Sequence, residues 1–381
     1  MFYWIVAITA TFLLQVGNVY ISNIIFFLWI IVRFFTKKEK YSFDYYGVWI
    51  YFLYLGWVLL SMILFSLQYD YLETRNLVQF AYNIQYVILI AEGSIDRQKL
   101  RQAMKVSAML LSIVIIMLWI VKTGMMNIMV LVVNNREWAM DYIGGWPNST
   151  ILPLVFCVYL EMKEYASGRG WSVFRVIRMG LLLFALLLCT SRTGYIGGAV
   201  IIAYFLWKSK EGTGKLMKYL KKVVLFGCLL IVLTSACSLI MENDLSARMF
   251  MVSDRQEIMA DVFSYVKERP ISGYGGNSID VVYNVVRPTE SGMDWGHTHN
   301  TILELLIRHG IIGTLLFFAF VIRVYARVKT KDEKVMYWLF WGLSTFQIFY
   351  KDFVFLLLIF MLILPEEYES DAFWNLENND W

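Results

Sequence analysis

Apolar runs of near-membrane length recur from one end of the chain to the other, each closed by a short polar or turn-rich cluster. A helix needs about 20 mostly apolar residues to cross a bilayer. Counting the runs predicts about twelve helices, near 1–15, 19–35, 45–67, 76–91, 106–121, 149–161, 179–191, 195–207, 223–241, 300–322, 335–348 and 352–365. Several are short for a perpendicular span, which leaves room for a re-entrant pair. The pattern predicts an all-α polytopic membrane protein, with one transmembrane domain over 1–365, a large external loop at 242–299 and an acidic tail at 366–381. No internal repeat, coiled coil or low-complexity tract interrupts it.

Composition strengthens this picture. Hydrophobic residues make up 59% of the 381 and charged residues 17%, and mean hydropathy is +0.57. An average soluble domain is about half apolar and a quarter charged. The four cysteines, Cys157, Cys189, Cys228 and Cys237, sit inside apolar runs without paired spacing, so they read as small core residues rather than a disulfide frame or metal site. No Lys or Arg precedes Arg33, so the basic start of a cleavable signal peptide is missing and the first run is expected to be a retained helix.

Charge matters by placement, since the net value is only +4 and points to no nucleic-acid partner. The stretches 33–40, 92–105, 162–178, 208–222 and 323–334 hold 23 of the 34 Lys and Arg and alternate with poor ones. Basic loops stay cytoplasmic. Both termini are then expected on the cytoplasmic side of a plasma membrane, with the turn at 191–194 and the loop 242–299 outside. That loop nevertheless carries Arg248, Arg255, Lys267, Arg269 and Arg287. Long loops cross regardless of charge, which is one explanation; a bound anion is another. Aromatic residues at the run ends, such as Trp49, Trp146, Trp171 and Trp207, fit interface belts. The external Trp138, Trp146, Tyr274 and Trp295 have a second use open to them, stacking on sugar rings.

Three external stretches carry candidate chemistry. In Ser191-Arg192-Thr193-Gly194 a helix is predicted to begin near Arg192, where its positive end, free amides and the guanidinium suit an anion such as phosphate. The competing use is an arginine reaching to lipid headgroups. Arg255 opens RQEIMADVFSYVKERP, whose Ile258, Met259, Val262, Phe263 and Val266 fall at helical spacing and predict an amphipathic helix on the outer membrane surface. The Gly-rich turn that follows, with Gly273, Gly275 and Gly276, allows either an anion-holding nest or an ordinary connection. Last comes WGHTHNTILELLIRHGIIG at 295–313, which holds all three histidines and passes from polar to apolar. His299 is placed to take a proton from a hydroxyl near neutral pH, while Glu304 and Arg308, spaced i, i+4, read as a structural pair. His297 and His299 with Asp294 make a poor zinc site without a third His or Cys.

Together these stretches resemble the O-antigen ligase and polymerase superfamily of bacterial envelope glycosyltransferases. The resemblance rests on Ser191–Gly194 opening a helix, Arg255 before Pro270 and the Gly273–Gly276 turn, and His299-Asn300 followed by Leu303-Glu304-Leu305 and Gly310–Gly313. It covers 191–313, about a third of the chain. It implies an inverting glycosyltransferase that needs neither metal nor other cofactor. By this similarity Arg192 and Arg255 are catalytic and hold the diphosphate of an undecaprenyl-linked glycan, His299 activates the acceptor hydroxyl, and Gly273, Gly275, Gly276 and Asn300 line the substrate site. The family often has Trp shortly after the loop arginine, where this chain has Ile258 or Met259, so Arg248 stays open as an alternative to Arg255.

The function expected on this basis is polymerisation of lipid-linked repeat units into a capsule, O-antigen or exopolysaccharide at the outer face of the plasma membrane. A ligase moving a finished glycan to lipid A core or protein shares the same motifs. Expected partners are the undecaprenyl-diphosphate-linked donor and acceptor, the bilayer, and a chain-length regulator and flippase. A transporter of glycan lipid or a small anion is the rival of another class, though it would place its charges near the bilayer midplane. A non-catalytic scaffold predicts that His299→Ala is tolerated.

Overall fold

Helices in this chain begin at polar caps well before their apolar runs. Asp96 accepts a hydrogen bond from the Lys99 amide at 2.9 Å, Ser172 from the Arg175 amide at 3.3 Å and Thr330 from the Glu333 amide at 3.2 Å, each satisfying a donor that the first helical turn leaves open. The computed structural model describes residues 1–16, 19–36, 47–72, 77, 79–80, 83–84, 96–124, 147–169, 172–208, 222, 225–227, 229, 262–277, 279–286, 298, 300–345 and 353–363. Among these, α1 is Phe2–Thr11, α2 Ile21–Thr36, α3 Val48–Tyr69, α4 Arg97–Thr123, α5 Pro147–Glu164, α6 Val173–Leu188, α7 Arg192–Lys208, α8 Ile279–Val286, α9 Thr301–Tyr325, α10 Lys331–Ser344 and α11 Phe353–Ile363. A two-residue antiparallel pair, Gln15–Val16 with Val19–Tyr20, joins α1 to α2. Among the described residues α3, α4 and α9 are long and apolar enough to cross a membrane, and the chain is an integral membrane protein. The predicted runs at 76–91 and 223–241 fall largely outside the described residues, as does the tail 366–381.

The early starts revise the predicted boundaries. Much of the supposed loops 92–105, 162–178 and 323–334 is helix, and their charges lie on helix ends rather than in connections. There they pair. Glu333 is held by Arg97, by Arg101 at 3.0 Å and by Lys163 at 3.1 Å. Glu161 binds Lys105 at 2.9 Å and Arg178 at 3.0 Å, while Lys208 meets Asp332 at 2.5 Å. One end of the bundle thus gathers the starts of α4, α6 and α10 with the finishes of α5 and α7. The Tyr3 hydroxyl, which accepts from the Asp96 amide, and the Met361 carbonyl, which accepts from Arg101, place the start of α1 and the finish of α11 there too.

Because α3 rises away from this basic end and α9 descends toward it, the α3 finish, the α6–α7 turn and the α9 start occupy the opposite end. Ring contacts fix the antiparallel register of α3 and α9, with Tyr51 against Phe320 at 4.6 Å and Tyr54 against Phe317 at 5.3 Å. The main core runs through α1, α4, α5, α10 and α11. Cys157 and Cys189 are buried in it as small apolar residues. A smaller apolar cluster at the opposite end joins Phe65 of α3, Val262, Tyr265, Tyr274, Val282 of α8 and Ile307 of α9.

Candidate functional site

The site end is built on a break in α9. Gly310 adopts φ 64°, ψ −171°, a conformation essentially confined to glycine. The break frees backbone groups that a straight helix would pair, and inside a bilayer each unpaired group costs several kcal/mol. All four carbonyls from 307 to 310 find other donors. The Tyr274 amide donates to Ile307 O at 2.9 Å, the Gly276 amide to Arg308 O at 2.9 Å, Trp57 Nε1 to His309 O at 2.8 Å, and Thr314 Oγ1 to Gly310 O at 2.7 Å. The Ile311 amide donates to Pro270 O at 2.7 Å. The turn 270–276 is thereby docked into the helix break. Contact is so close that a Cβ on Gly310 would lie 2.1 Å from Ile271 O, and one on Gly273 2.6 Å from the Gly310 nitrogen.

This docking corrects the anion-nest expectation for the Gly-rich turn. The amides of Gly273, Tyr274 and Gly276 donate to carbonyls of Arg269, Ile307 and Arg308, so they are engaged within the protein. Gly275 serves close packing, since a Cβ there would meet Phe65 Cβ at 2.7 Å. Tyr274 is also not a sugar-stacking surface. It is fully buried, its hydroxyl donates to Tyr265 O at 3.1 Å, and burial pushes its phenol up to about 12. Arg269, one of the basic residues expected outside the membrane, binds Gln68 and the Tyr69 hydroxyl and lies over the rings of Tyr69 and Tyr274. Its charge has a structural use.

Of the predicted amphipathic helix, 262–268 is described and is helical. Val262 and Tyr265 pack into the protein, whereas Phe263 is exposed, so the apolar stripe faces two ways. Ile258 and Met259 lie outside the described residues.

At the start of α9, Asn300 is the cap. Its Oδ1 accepts from the Ile302 amide at 2.9 Å and the Leu303 amide at 3.2 Å, which engages that oxygen in the helix start. Glu304 and Arg308 form the expected buried pair. Glu304 Oε2 also accepts from the Thr298 hydroxyl at 3.0 Å, and Arg308 Nη1 donates to Gly276 O at 2.7 Å.

As predicted, α7 opens at Arg192. Thr190 before it takes φ 52°, turning the chain out of α6, and the Tyr195 amide closes the first turn on Ser191 O at 3.1 Å. The glycines that follow serve packing, Gly194 against Ile151 and Leu186, and Gly197 against Val155 and Leu343. Arg248, Arg255, His297 and His299 lie outside the described residues, as does the Arg192 side chain. Thr298 and Asn300, on either side of His299, are described.

A groove of about 200 Å³ separates α9 from α10, lined by Thr301 and Ile302 at the site end and by Phe318, Val321, Trp338 and Trp341 deeper in.

Sequence comparison agrees with this organisation. Residues 178–318, which include the α6–α7 turn, the docked loop and the broken helix, match the family model described as O-antigen ligase. The chain is also 24% identical over 209 residues to the ComP-specific O-oligosaccharyltransferase of Acinetobacter baylyi. That alignment covers 51% of this chain and 37% of the relative, so the chain spans well under half of the relative's length. The two matches bear out the resemblance drawn from the motifs and support assignment to the O-antigen ligase superfamily.

Proposed function

We propose that this protein is an inverting, metal-independent glycosyltransferase that moves a glycan from an undecaprenyl diphosphate to a hydroxyl acceptor at the outer face of the plasma membrane. The observation that carries the reading is the docked break in α9. It fastens the segment downstream of Arg255 to the helix that begins one residue after Asn300, and the matched family region covers both. The gathering of basic residues at the other end supports an outward-facing site and cytoplasmic termini.

In the reaction the acceptor oxygen bonds to the anomeric carbon, the bond to the diphosphate oxygen breaks with its electron pair, and the acceptor proton passes to His299. Charge grows on the leaving oxygen, so Arg192 and Arg255 stabilise the transition state more than the ground state. The apolar groove between α9 and α10 accommodates part of the donor's isoprenoid chain. A growing repeat-unit chain is the acceptor in the leading reading, polymerisation. The matching family and relative, a ligase and an oligosaccharyltransferase, favour a second reading in which lipid A core or a protein accepts the glycan.

The test is to purify the protein in detergent, supply lipid-linked repeat units with excess chelator and no nucleotide, and resolve the products on a gel. A ladder made by the wild type and missing with His299→Ala establishes the polymerase. A single transfer product that forms only when lipid A core or an acceptor protein is added establishes the ligase. No product with either acceptor overturns the transferase reading.

A further inference from the structure

Glu304 and Arg308 sit one turn apart on the first half of α9, 0% and 3% exposed. Each also reaches a partner off the helix. Glu304 Oε2 accepts from both the amide and the hydroxyl of Thr298, at 3.3 and 3.0 Å, while its Oε1 accepts from Arg308 Nε. Arg308 Nη1 continues to the Gly276 carbonyl at 2.7 Å. The hydrogen bonds form one chain, Thr298 to Glu304 to Arg308 to Gly276. That chain ties the strand of backbone before α9 to the loop docked in its break. The one Thr298 hydroxyl proton is shared between Glu304 and Asn300 O, at 2.9 Å, and the hydroxyl oxygen accepts from the Asn300 amide at 3.3 Å, so Thr298 and Asn300, the neighbours of His299, are bonded to each other.

We propose that Glu304 and Arg308 are positioning residues for the transfer reaction. They tie Thr298 and the start of α9, the described residues on either side of His299, to the 262–277 segment that follows Arg255, and so couple the two parts of the proposed transfer site. This rests on the assignment of His299 and Arg255 given above. Two physical points favour it over a purely stabilising pair. Well-packed apolar residues of similar volume stabilise a buried position as well as an ion pair does, or better. A catalytic group displaced by about 1 Å, by contrast, can lose about 100-fold in rate.

The test compares full-length wild type, the double variant Glu304→Leu/Arg308→Leu, Thr298→Val, Thr298→Ser and His299→Ala in detergent, with lipid-linked repeat units as substrate. Folding is followed by melting temperature and gel filtration, and activity is resolved into kcat and KM. The double leucine variant removes both charges together and leaves neither buried alone. It also takes the Arg308 donor from the Gly276 carbonyl, so it is expected to elute as the wild type and melt somewhat lower, while kcat per folded molecule falls about 100-fold and KM stays within about twofold. Thr298→Val leaves the ion pair and the longer amide bond to Glu304 intact but removes the shorter hydroxyl bond, and is expected to lower kcat about tenfold, with Thr298→Ser restoring it. Should the double variant not fold, the Thr298 pair decides. Wild-type kcat in either the folded double variant or Thr298→Val overturns the inference. Wild-type activity in His299→Ala instead overturns the assignment of the base, a separate failure.

Discussion

Gly276 and Arg308 are bonded in both directions: the Gly276 amide donates to Arg308 O at 2.9 Å, and Arg308 Nη1 donates to Gly276 O at 2.7 Å. A membrane helix that breaks must satisfy the groups it frees, and here a loop that begins forty residues earlier, near Pro270, supplies the donors for Ile307 O and Arg308 O. The break and the loop are therefore one structural unit.

That unit depends on glycine at position 310. Gly310→Ala adds a Cβ 2.1 Å from Ile271 O at a positive φ. The loop must then withdraw, leaving the carbonyls of Ile307 and Arg308 without donors. We expect a loss of at least about 3 kcal/mol, seen as a lower melting temperature in detergent, together with loss of transferase activity. Gly342→Ala, where a Cβ meets nothing within 4 Å, is the control and should melt as the wild type.

The basic end should respond differently. Glu333→Gln leaves the buried Arg97 and its neighbours without their shared carboxylate, and breaking such a cluster from one side costs about 3–5 kcal/mol. Yield of folded protein by gel filtration is expected to fall. Turnover per folded molecule should stay near wild type, because the cluster lies at the end of the bundle away from the proposed site.

Much of this architecture is legible in the pattern of residues. The run of basic stretches correctly groups Arg97, Lys163, Arg178, Lys208 and Lys331 on one end, and the Ser191 turn correctly marks the start of α7, because charge placement and helix caps are local signals. The break at Gly310 is not local. A glycine in an apolar run is ordinarily tolerated in a helix, and only Pro270–Gly276, far away in sequence, makes the break stable. The same non-local docking buries Tyr274 and gives the Gly-rich turn, open in sequence to a nest or an ordinary connection, a packing use. Trp57 and Thr298 give no signal for the same reason: an indole inside an apolar run and a threonine between two histidines carry no sign of distant partners. Glu304 and Arg308 were legible as a pair, since two opposite charges one turn apart in a membrane helix must meet something polar.

Filling the groove between α9 and α10 tests the placement of the isoprenoid chain. Gly342 lines the groove, and a Cβ built on it meets no atom within 4 Å. Gly342→Trp is expected to leave the fold intact while raising KM for the lipid-linked donor about tenfold, the effect of losing about 1.4 kcal/mol of contact. A shortened-chain donor should be affected less, and kinetics with donors of two isoprenoid lengths make the comparison. Equal KM values for wild type and variant with both donors would place the chain elsewhere.

Asn300 separates capping from substrate contact. Its Oδ1 already accepts two amides of α9, and replacing a cap of this kind by alanine costs about 1 kcal/mol. Aspartate caps as well as asparagine, and its negative charge suits a helix N-terminus. If capping is the residue's work, Asn300→Asp should hold the wild-type melting temperature and Asn300→Ala should lower it, with kcat following the same order because an unravelled first turn displaces His299. If the amide NH₂ instead contacts the glycan, the order of activity reverses, since aspartate loses that donor and brings a charge toward a diphosphate. Melting curves and initial rates of the two variants, measured side by side, decide between these orders.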